Sequence, residues 1–374
     1  MNRHLERFLA LILLAVLLTP AVAKDPLVFI TAFGKGEKGA IHAYNLVGDK
    51  LKLKHRTTDV EHPFFIAVSH DNKYLYSIHA KVFGGKKHEQ VAAYKLIGRT
   101  GKLKLLNRQS ALGTAACYLD VDAKGKTVLV ANYSTGSVAS LPVRKDGSLG
   151  PATSFVQHKG GSKVDKGRQL EAHAHCFVIS PDNKFAFAAD LGLDQVLSYR
   201  LHGNSKLAAN PQPFVRTPPG AGPRHLTFHP NGKAMYVINE LANSVTYFRY
   251  SPKSGLLIER QTISTLPKDF KGKSYCADVK ITPNGKFLYG TNRGHHSIAA
   301  YRIADNGRLS LIGIYPSKGD GPQNLAITAD GSKLICANMP SSNVAVFHID
   351  GKTGGLKSAG KPISIPSPSC IMIR

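Results

Sequence analysis

Hydrophobic and polar residues alternate over short stretches of this chain, most clearly in residues 222–243, GPRHLTFHPNGKAMYVINELAN. Leu226 and Phe228 alternate with polar neighbours, as in a strand with one buried face. The following HPNGK has the proline and Asn-Gly chemistry of a tight turn, and an apolar run, MYVI, then returns. The pattern predicts two antiparallel strands, with Arg224 at the start of the first beside Glu240 at the end of the second.

The same pattern occurs in six places along the chain. Its turn position is held by Asn72, Gly125, Asn183, Gly232, Gly285 and Gly331, at intervals of 46 to 58 residues. A third strand follows each pair, such as SVTYFRY, and then a glycine-bearing turn with a weaker fourth strand, such as GRLSLI. Four short strands per period of about 40–50 residues are typical of a β-propeller blade.

The first unit lacks an innermost strand, because only residues 27–32, 40–46 and 51–56 have a strand pattern there. Residues 366–374, PSPSCIMIR, resemble an innermost strand with no blade after it. We therefore expect the C-terminal strand to complete the N-terminal blade, which closes the ring and removes exposed strand edges. The predicted fold is all-β: a single seven-bladed β-propeller domain over residues 24–374.

Residues 1–23 do not share this pattern and are interpreted as a signal peptide. A basic start, the apolar LALILLAVLL and a small-residue site at Ala21-Val22-Ala23 predict cleavage near Ala23. The apolar run is too short to span a membrane, and no other stretch is long enough. We therefore expect a periplasmic or secreted protein without a membrane span.

Charge and cysteine content limit the partners and the redox chemistry. The net charge of +25 comes from lysines spread through turns and outer strands, which predicts either a solvated basic surface or attraction to an anionic substrate or cell-surface polymer. No nucleic-acid-binding motif accompanies the charge, so no nucleic-acid partner is expected. The five cysteines are an odd number and occupy strand positions, which predicts buried free thiols.

Two positions of each unit, those equivalent to Arg224 and to Glu240, should lie near one mouth of the central channel. We call these positions the two slots. The slot of Arg224 also holds His175 and Gln323 in other units, and the slot of Glu240 also holds Arg293. In the remaining units the two slots hold Phe64, Cys117, Ala277, Ala80, Tyr133, Leu191 and Met339. A structural repeat does not need polar groups at these slots, so we predict a functional site there, to which the nearby His173, His225 and His295 contribute.

These residues have both structural and chemical interpretations. Arg224 and Glu240 could be a plain ion pair, and Arg293 a solvated charge. Together, two guanidiniums suit bidentate binding of a carboxylate or phosphate, and Glu240 or His175 suits a general base acting on water. The H-x-H pair lacks an evident third ligand, so neither a metal nor another cofactor is expected. Without a Gly-x-Ser-x-Gly motif, a covalent nucleophile is not supported.

A polar, glycine-rich insertion at residues 156–170 directly precedes EAHAHC and is expected near the functional mouth; a second insertion covers residues 82–90.

The segments GPRHL, HPNGK, NEL, SPDNK, DLGLD and ITPNGKFLYGTNRGHHSIA resemble the seven-bladed lactonase family, from about residue 27 to the C terminus. Its members include propeller-type 6-phosphogluconolactonases and carboxy-cis,cis-muconate cyclases. The resemblance implies a lactonase whose active site contains one histidine, two arginines and a glutamate. These fall on His173 or His175, Arg224, Glu240 and Arg293.

Two features depart from the family pattern. Pro322-Gln323 stands where the family usually carries Pro-Arg, so one anion-binding group is missing from that slot. A signal peptide fits poorly with a phosphorylated sugar lactone, which is a cytoplasmic metabolite.

Two functions remain open from the sequence. The first is an enzyme that hydrolyses, or reversibly forms, a sugar or acidic lactone, with one arginine on the substrate anion and the other on the carbonyl oxygen. The second is a non-catalytic binding propeller of the periplasm or cell surface, since YVIN and YGTN resemble Tyr-Val-Thr-Asn repeats. A redox-cofactor propeller is disfavoured because stacking aromatic residues and an acidic cluster are lacking. The polar groups at the mouth favour the enzyme.

Overall fold

Seven antiparallel sheets form the seven blades of this protein, as the repeats predict. The structure is a computed structural model and describes residues 25–34 and 36–374. The predicted signal peptide, residues 1–23, lies outside the described residues. No helix among the described residues is long and apolar enough to cross a membrane.

The strands are numbered in chain order, and each blade runs from the channel outward. Blades 1 to 3 contain β1 Leu27–Ala32, β2 Ala40–Val47, β3 Lys50–Thr57, β4 Ile66–Val68, β5 Tyr74–His79, β6 Gln90–Leu96, β7 Leu103–Ser110, β8 Ala116–Val121, β9 Thr127–Asn132, β10 Ser137–Pro142 and β11 Ser154–Gln157. Blades 4 and 5 contain β12 Ala174–Ile179, β13 Phe185–Asp190, β14 Gln195–His202, β15 Lys206–Arg216, β16 Pro223–Phe228, β17 Ala234–Asn239, β18 Ser244–Tyr250 and β19 Leu257–Ser264.

Blades 6 and 7 and the closing strand follow in the same order. They contain β20 Cys276–Ile281, β21 Phe287–Asn292, β22 Ser297–Ile303, β23 Leu309–Pro316, β24 Pro322–Ile327, β25 Lys333–Asn338, β26 Asn343–Ile349, β27 Leu356–Ser358, β28 Ile363–Ser364 and β29 Pro368–Ile373. The outer edge of blade 7 is divided, since β27 and β28 both pair with β26. Two short 3₁₀ segments, Gly36–Lys38 and Gly203–Ser205, lie in connections.

The C-terminal strand closes the ring, which confirms the predicted closure. Strand β29 pairs antiparallel with β1, with Val28 opposite Ile373 and Ile30 opposite Ile371. The innermost strands β29, β4, β8, β12, β16, β20 and β24 contact one another in succession around the channel. Blade 1 is thus built from both ends of the described chain, and neither end leaves an unpaired inner edge.

The turn between the first two strands has the same conformation in all six repeats. Asn72, Gly125, Asn183, Gly232, Gly285 and Gly331 have φ angles between +58° and +74°. Only Gly and Asn occur there because residues with larger side chains rarely adopt this left-handed conformation. The repeat register derived from the sequence is therefore the register of the structure.

Packing between neighbouring blades explains the glycine in the turn before a fourth strand. Tyr236 is buried and its hydroxyl donates to the carbonyl of Gly307 in the next blade, at 2.7 Å. Gly307 has a φ of +83°, and a Cβ there would lie 2.3 Å from the hydroxyl oxygen of Tyr247. A residue larger than glycine would push the two blades apart. The five cysteines are also buried, and none forms a disulfide, as predicted.

Candidate active site

A β-bulge at the start of the innermost strand positions the first polar slot. In blade 5, Pro223 pairs with Asn239 and His225 with Ile238, so Arg224 is the extra residue. His175 and Gln323 occupy the same bulge position in blades 4 and 7. A bulge re-aims a side chain relative to regular strand alternation and is common beside active sites. The repeated slot is therefore a repeated backbone irregularity.

Glu240 lies at the centre of the polar cluster, directly after β17. Its Oε2 accepts a hydrogen bond from Arg224 Nε at 2.9 Å and forms an ion pair with Arg293 Nη2 at 2.8 Å. Its Oε1 accepts a hydrogen bond from Arg168 Nη2 at 2.8 Å. Burial raises the pKa of the Glu240 carboxyl. The three guanidiniums lower this pKa by a larger amount, so the net shift is downward. Glu240 is thus an ionised carboxylate with both oxygens occupied by arginines.

Arg168 was not among the residues predicted from the sequence. It belongs to the polar insertion, which was expected near the mouth; the first two residues of the predicted span, 156 and 157, instead end strand β11. The guanidinium of Arg168 also donates to the hydroxyl of Tyr133 at 3.1 Å and lies 5.7 Å from the ring centre of Tyr275. Arg168 lies in a loop that is not part of the repeat and is distant in sequence from both slots. The periodic pattern therefore could not identify it.

A chain of hydrogen bonds connects Glu240 to a second buried carboxylate. Arg224 Nη1 donates to His225 Nε2 at 3.2 Å, and His225 Nδ1 donates to Asp278 Oδ1 at 2.9 Å. Because Nε2 accepts from an arginine, His225 is neutral, and burial lowers its pKa to about 4. Asp278 follows the Ala277 slot by one residue and was also missed, because the slot itself is apolar.

The two histidines of the H-x-H pair occupy different positions around Tyr133. His175 packs edge-on against Tyr133 and His225, with ring centres 5.3 Å and 5.4 Å apart. His173 stacks flat on Tyr133 at 4.5 Å, and its Nδ1 bonds the Tyr133 carbonyl at 3.0 Å. His175 therefore contacts His225, which bonds Arg224, whereas the ring contact of His173 is with Tyr133.

His175 is a neutral imidazole whose two ring nitrogens differ in their contacts. Its Nδ1 lies 3.5 Å from the Cys117 thiol, and no hydrogen-bond partner of its Nε2 is found within residues 25–34 and 36–374. Burial, and then the charges of Arg224 and Arg293, lower the pKa of His175 well below its ordinary value. Burial raises the pKa of the Cys117 thiol, which argues against a thiolate nucleophile.

Two of the predicted residues are not joined to the cluster. His295 Nδ1 bonds Ser297 at 2.7 Å, and its ring packs on Phe270. Gln323 is buried at the bulge of β24, and within the described part of the chain its amide makes no hydrogen bond to Glu240 or to the arginines. Nor do the described residues place three or more His, Cys, Asp or Glu side chains where they could hold a metal ion.

A cavity of about 540 Å³ occupies the opposite half of the channel. Phe65 and Tyr118 line it and also contact the ring of His225. The cavity does not reach Arg224 or Glu240. That the polar cluster faces a single water-filled pocket at its own mouth stays a prediction.

Comparison with known proteins identifies the family. The sequence model described as "Lactonase, 7-bladed beta-propeller" matches residues 27–373. The chain is 33% identical over 347 residues to a 6-phosphogluconolactonase of Bacillus subtilis, covering 92% of this chain and 97% of the relative. It is 32% identical to a 6-phosphogluconolactonase of Formosa agariphila, covering 92% and 98%.

A solved structure agrees with the sequence relatives. The periplasmic gluconolactonase of Pseudomonas aeruginosa superimposes with a TM-score of 0.86 at 30% identity, covering 93% of this chain and 98% of the other. The resemblance seen in the sequence motifs is thereby confirmed over almost the whole described chain. This protein belongs to the seven-bladed β-propeller lactonase family and is an enzyme of the lactonase type.

Proposed function

We propose that the protein hydrolyses a sugar lactone that carries an acidic group. The observation that carries this proposal is the charge of the cluster: three guanidiniums surround one carboxylate, and the neighbouring histidines are neutral. An excess of about two positive charges in a largely buried site favours an anionic ligand. The names of the relatives, 6-phosphogluconolactonase and gluconolactonase, support a sugar-acid lactone.

His175 is the proposed general base. Both oxygens of Glu240 accept hydrogen bonds from arginines, so its lone pairs are largely occupied. The neutral His175 keeps Nε2 for a water molecule, which it deprotonates as the water attacks the lactone carbonyl. Of the two bases that the sequence left open, His175 therefore has the better geometry.

Arg293 is the proposed stabiliser of the negative charge on the carbonyl oxygen. Its side chain is 26% exposed, whereas that of Arg224 is 1% exposed and bonded to His225 and the Ala277 carbonyl. A fixed cation beside the developing oxyanion lowers the barrier because it needs no reorganisation during the reaction. Collapse of the tetrahedral intermediate breaks the ring C–O bond, and the proton held by His175 passes to the leaving oxygen.

Glu240 then serves as the residue that positions the three arginines. It holds guanidiniums from the insertion and from blades 5 and 6 on one carboxylate. Without it, three like charges would repel one another and separate. Its contribution to the rate is therefore indirect.

A lactone panel tests the proposal. The protein is given glucono-δ-lactone and its 6-phosphorylated form at neutral pH, and acid release is followed after subtraction of the spontaneous rate. We expect hydrolysis above background, and His175→Gln is expected to lower kcat by about 10²–10⁴-fold, as for loss of a general base. If no lactone is hydrolysed while anionic sugars still bind, the protein is a binding propeller.

The compartment and the basic surface are part of the same proposal. We place the protein in the periplasm after cleavage near Ala23, which the periplasmic relative from Pseudomonas aeruginosa supports. The mature chain would keep nearly all of the net charge of +25 of the full sequence, and this charge would attract anionic cell-surface polymers. Cell fractionation, with N-terminal sequencing of the mature protein, tests the location; an intact N terminus in the cytoplasm would contradict it.

A further inference from the structure

We infer that Arg168 is the residue that selects anionic lactones, by binding the acidic group of the substrate at a distance from the lactone carbonyl. This inference rests on the proposed function and deepens it. It assigns a separate task to each guanidinium of the cluster: Arg224 holds Glu240, Arg293 faces the carbonyl oxygen, and Arg168 binds the remote anion.

The hydrogen bonds of the three arginines differ in a way that supports this division. Arg224 donates to the main-chain carbonyl of Ala277 at 2.6 Å, and Arg293 donates to that of Cys276 at 3.1 Å. The guanidinium of Arg168 uses only Nη2, for Glu240 and Tyr133, and it donates to no main-chain carbonyl within the described residues. Its Nε and Nη1 donors remain for a ligand, and a guanidinium suits the bidentate geometry of phosphate or carboxylate.

Solvent exposure also distinguishes the three arginine side chains. The side chain of Arg168 is 31% exposed, compared with 26% for Arg293 and 1% for Arg224. The Arg168 guanidinium also lies over the ring of Tyr275, which holds a cation in place without occupying its donors. Arg168 is thus the guanidinium that a ligand entering from solvent can reach with the least rearrangement.

The loop that carries Arg168 is anchored at the adjacent residue. Gln169 is fully buried, and its Nε2 donates to the carbonyl of Leu191 at 2.8 Å and to Asp194 Oδ1 at 2.7 Å. The main-chain N–H of Gln169 also bonds the carbonyl of Asp165 at 2.8 Å, which closes a turn in the insertion. These bonds hold the backbone of Arg168 at the mouth before any substrate binds, so little ordering entropy is lost on binding.

This arrangement predicts discrimination between substrates rather than a general loss of activity. A lactone with a phosphate or carboxylate group gains a charge-assisted bond to Arg168, whereas a neutral lactone gains none. Removal of Arg168 should therefore raise KM far more for the anionic substrate than for the neutral one. The carbonyl chemistry at His175 and Arg293 should continue.

The test compares Arg168→Gln with Lys166→Gln. Lys166 lies in the same loop, is exposed and carries the same charge, so its variant controls for the loss of one positive charge. For 6-phosphoglucono-δ-lactone we expect Arg168→Gln to raise KM about 10–100-fold with kcat changed less than about threefold, the effect of one charge-assisted hydrogen bond. For glucono-δ-lactone Lys166→Gln should stay within about twofold of the wild type, and the KM of Arg168→Gln should rise at least about tenfold less than it does for the phosphorylated lactone. Arg168→Lys, a point charge, should lie in between.

Equal loss on both lactones would overturn the inference, because Arg168 would then act through Glu240 on all substrates. No loss on either would also overturn it. Calorimetric binding of 6-phosphogluconate provides a measurement that does not need turnover: affinity should fall with Arg168→Gln and not with Lys166→Gln, and equal affinities would count against the inference. Absence of wild-type turnover on both lactones would contradict the proposed function, while the binding comparison would still decide the role of Arg168.

Discussion

Glu240 and Asp278 are both buried carboxylates in one hydrogen-bonded chain, yet their surroundings differ. Asp278 accepts from His225 in blade 5, from Lys280 in its own blade, and from the Asn324 amide and the Leu325 N–H in blade 7. Burial raises the pKa of Asp278. Lys280 and His225 lower this pKa by a larger amount, so the carboxyl is ionised. Glu240, by contrast, is surrounded by guanidiniums.

The difference lies in charge balance and in the blades that each carboxylate connects. The charge of Asp278 is balanced by Lys280, and two of its neutral donors, Asn324 and Leu325, belong to the innermost strand of the next blade. Asn324 continues the link, because its Oδ1 accepts from the N–H of Ile371 in the closing strand at 2.8 Å. The charge of Glu240 is exceeded by its partners, and two of these are partly exposed. Asp278 therefore stabilises the contacts between neighbouring blades, and Glu240 holds the arginines of the candidate site in place.

The largest expected effect comes from removing the closing strand. Deletion of residues 366–374 takes away β29, exposes the inner edge of β1 and leaves Asn324 without Ile371. The whole domain is expected to unfold cooperatively, because each blade depends on both neighbours. Circular dichroism melting measures this. A truncated protein with the melting temperature of the full chain would show that closure contributes little.

The same isosteric change at the two carboxylates sharpens the comparison. Asp278→Asn is expected to lower the free energy of unfolding by about 3 kcal/mol, because Lys280 and His225 lose a buried anion. Glu240→Gln should cost less stability, since Arg168 and Arg293 can turn to solvent. Its expected loss of turnover is about 10²-fold, as for misplaced catalytic groups. Urea unfolding and kcat are measured on both variants.

If Glu240→Gln lost more unfolding free energy than Asp278→Asn, or if Asp278→Asn lost more turnover than Glu240→Gln, the separate roles of the two carboxylates would be contradicted. A loss of turnover of 10³–10⁴-fold in Glu240→Gln, with unchanged KM, would instead identify Glu240 as the base.

The pH profile is a smaller test, directed at His175. The active form is the neutral imidazole, so kcat/KM should fall as the pH drops through the pKa of His175 in the folded enzyme. Burial and nearby arginines lower that pKa, so the acid limb should lie below pH 6.5, the ordinary value for histidine. Rates measured between pH 4 and 7, where spontaneous hydrolysis is slow, locate the limb. A limb at or above 6.5 would mean that another group titrates.

The smallest effect is expected from chelation. Prolonged treatment with EDTA should leave turnover and melting temperature unchanged, because neither the sequence nor the described residues supply a set of metal ligands. Loss of activity that zinc or calcium restores would contradict this expectation.

The sequence alone determined the number of blades, the closure of the ring and the two slots. Each of these follows from a local pattern that repeats, such as the left-handed turn at Gly232 or the alternation in Leu226 and Phe228. Repetition makes a weak local signal reliable, because six copies must adopt one conformation. Arg224, Glu240 and Arg293 could therefore be placed together before the structure was known.

Only the tertiary structure decided which other side chains complete the site and which do not. Arg168 reaches Glu240 from a loop that has no counterpart in other blades, and Asp278 gains its role from partners in blades 5 and 7. The separation of His175 from His173 depends on a bulge that regular strand alternation does not show. The physical reason is common to all three: contacts between residues distant in sequence depend on how the blades pack, and no local period encodes that packing.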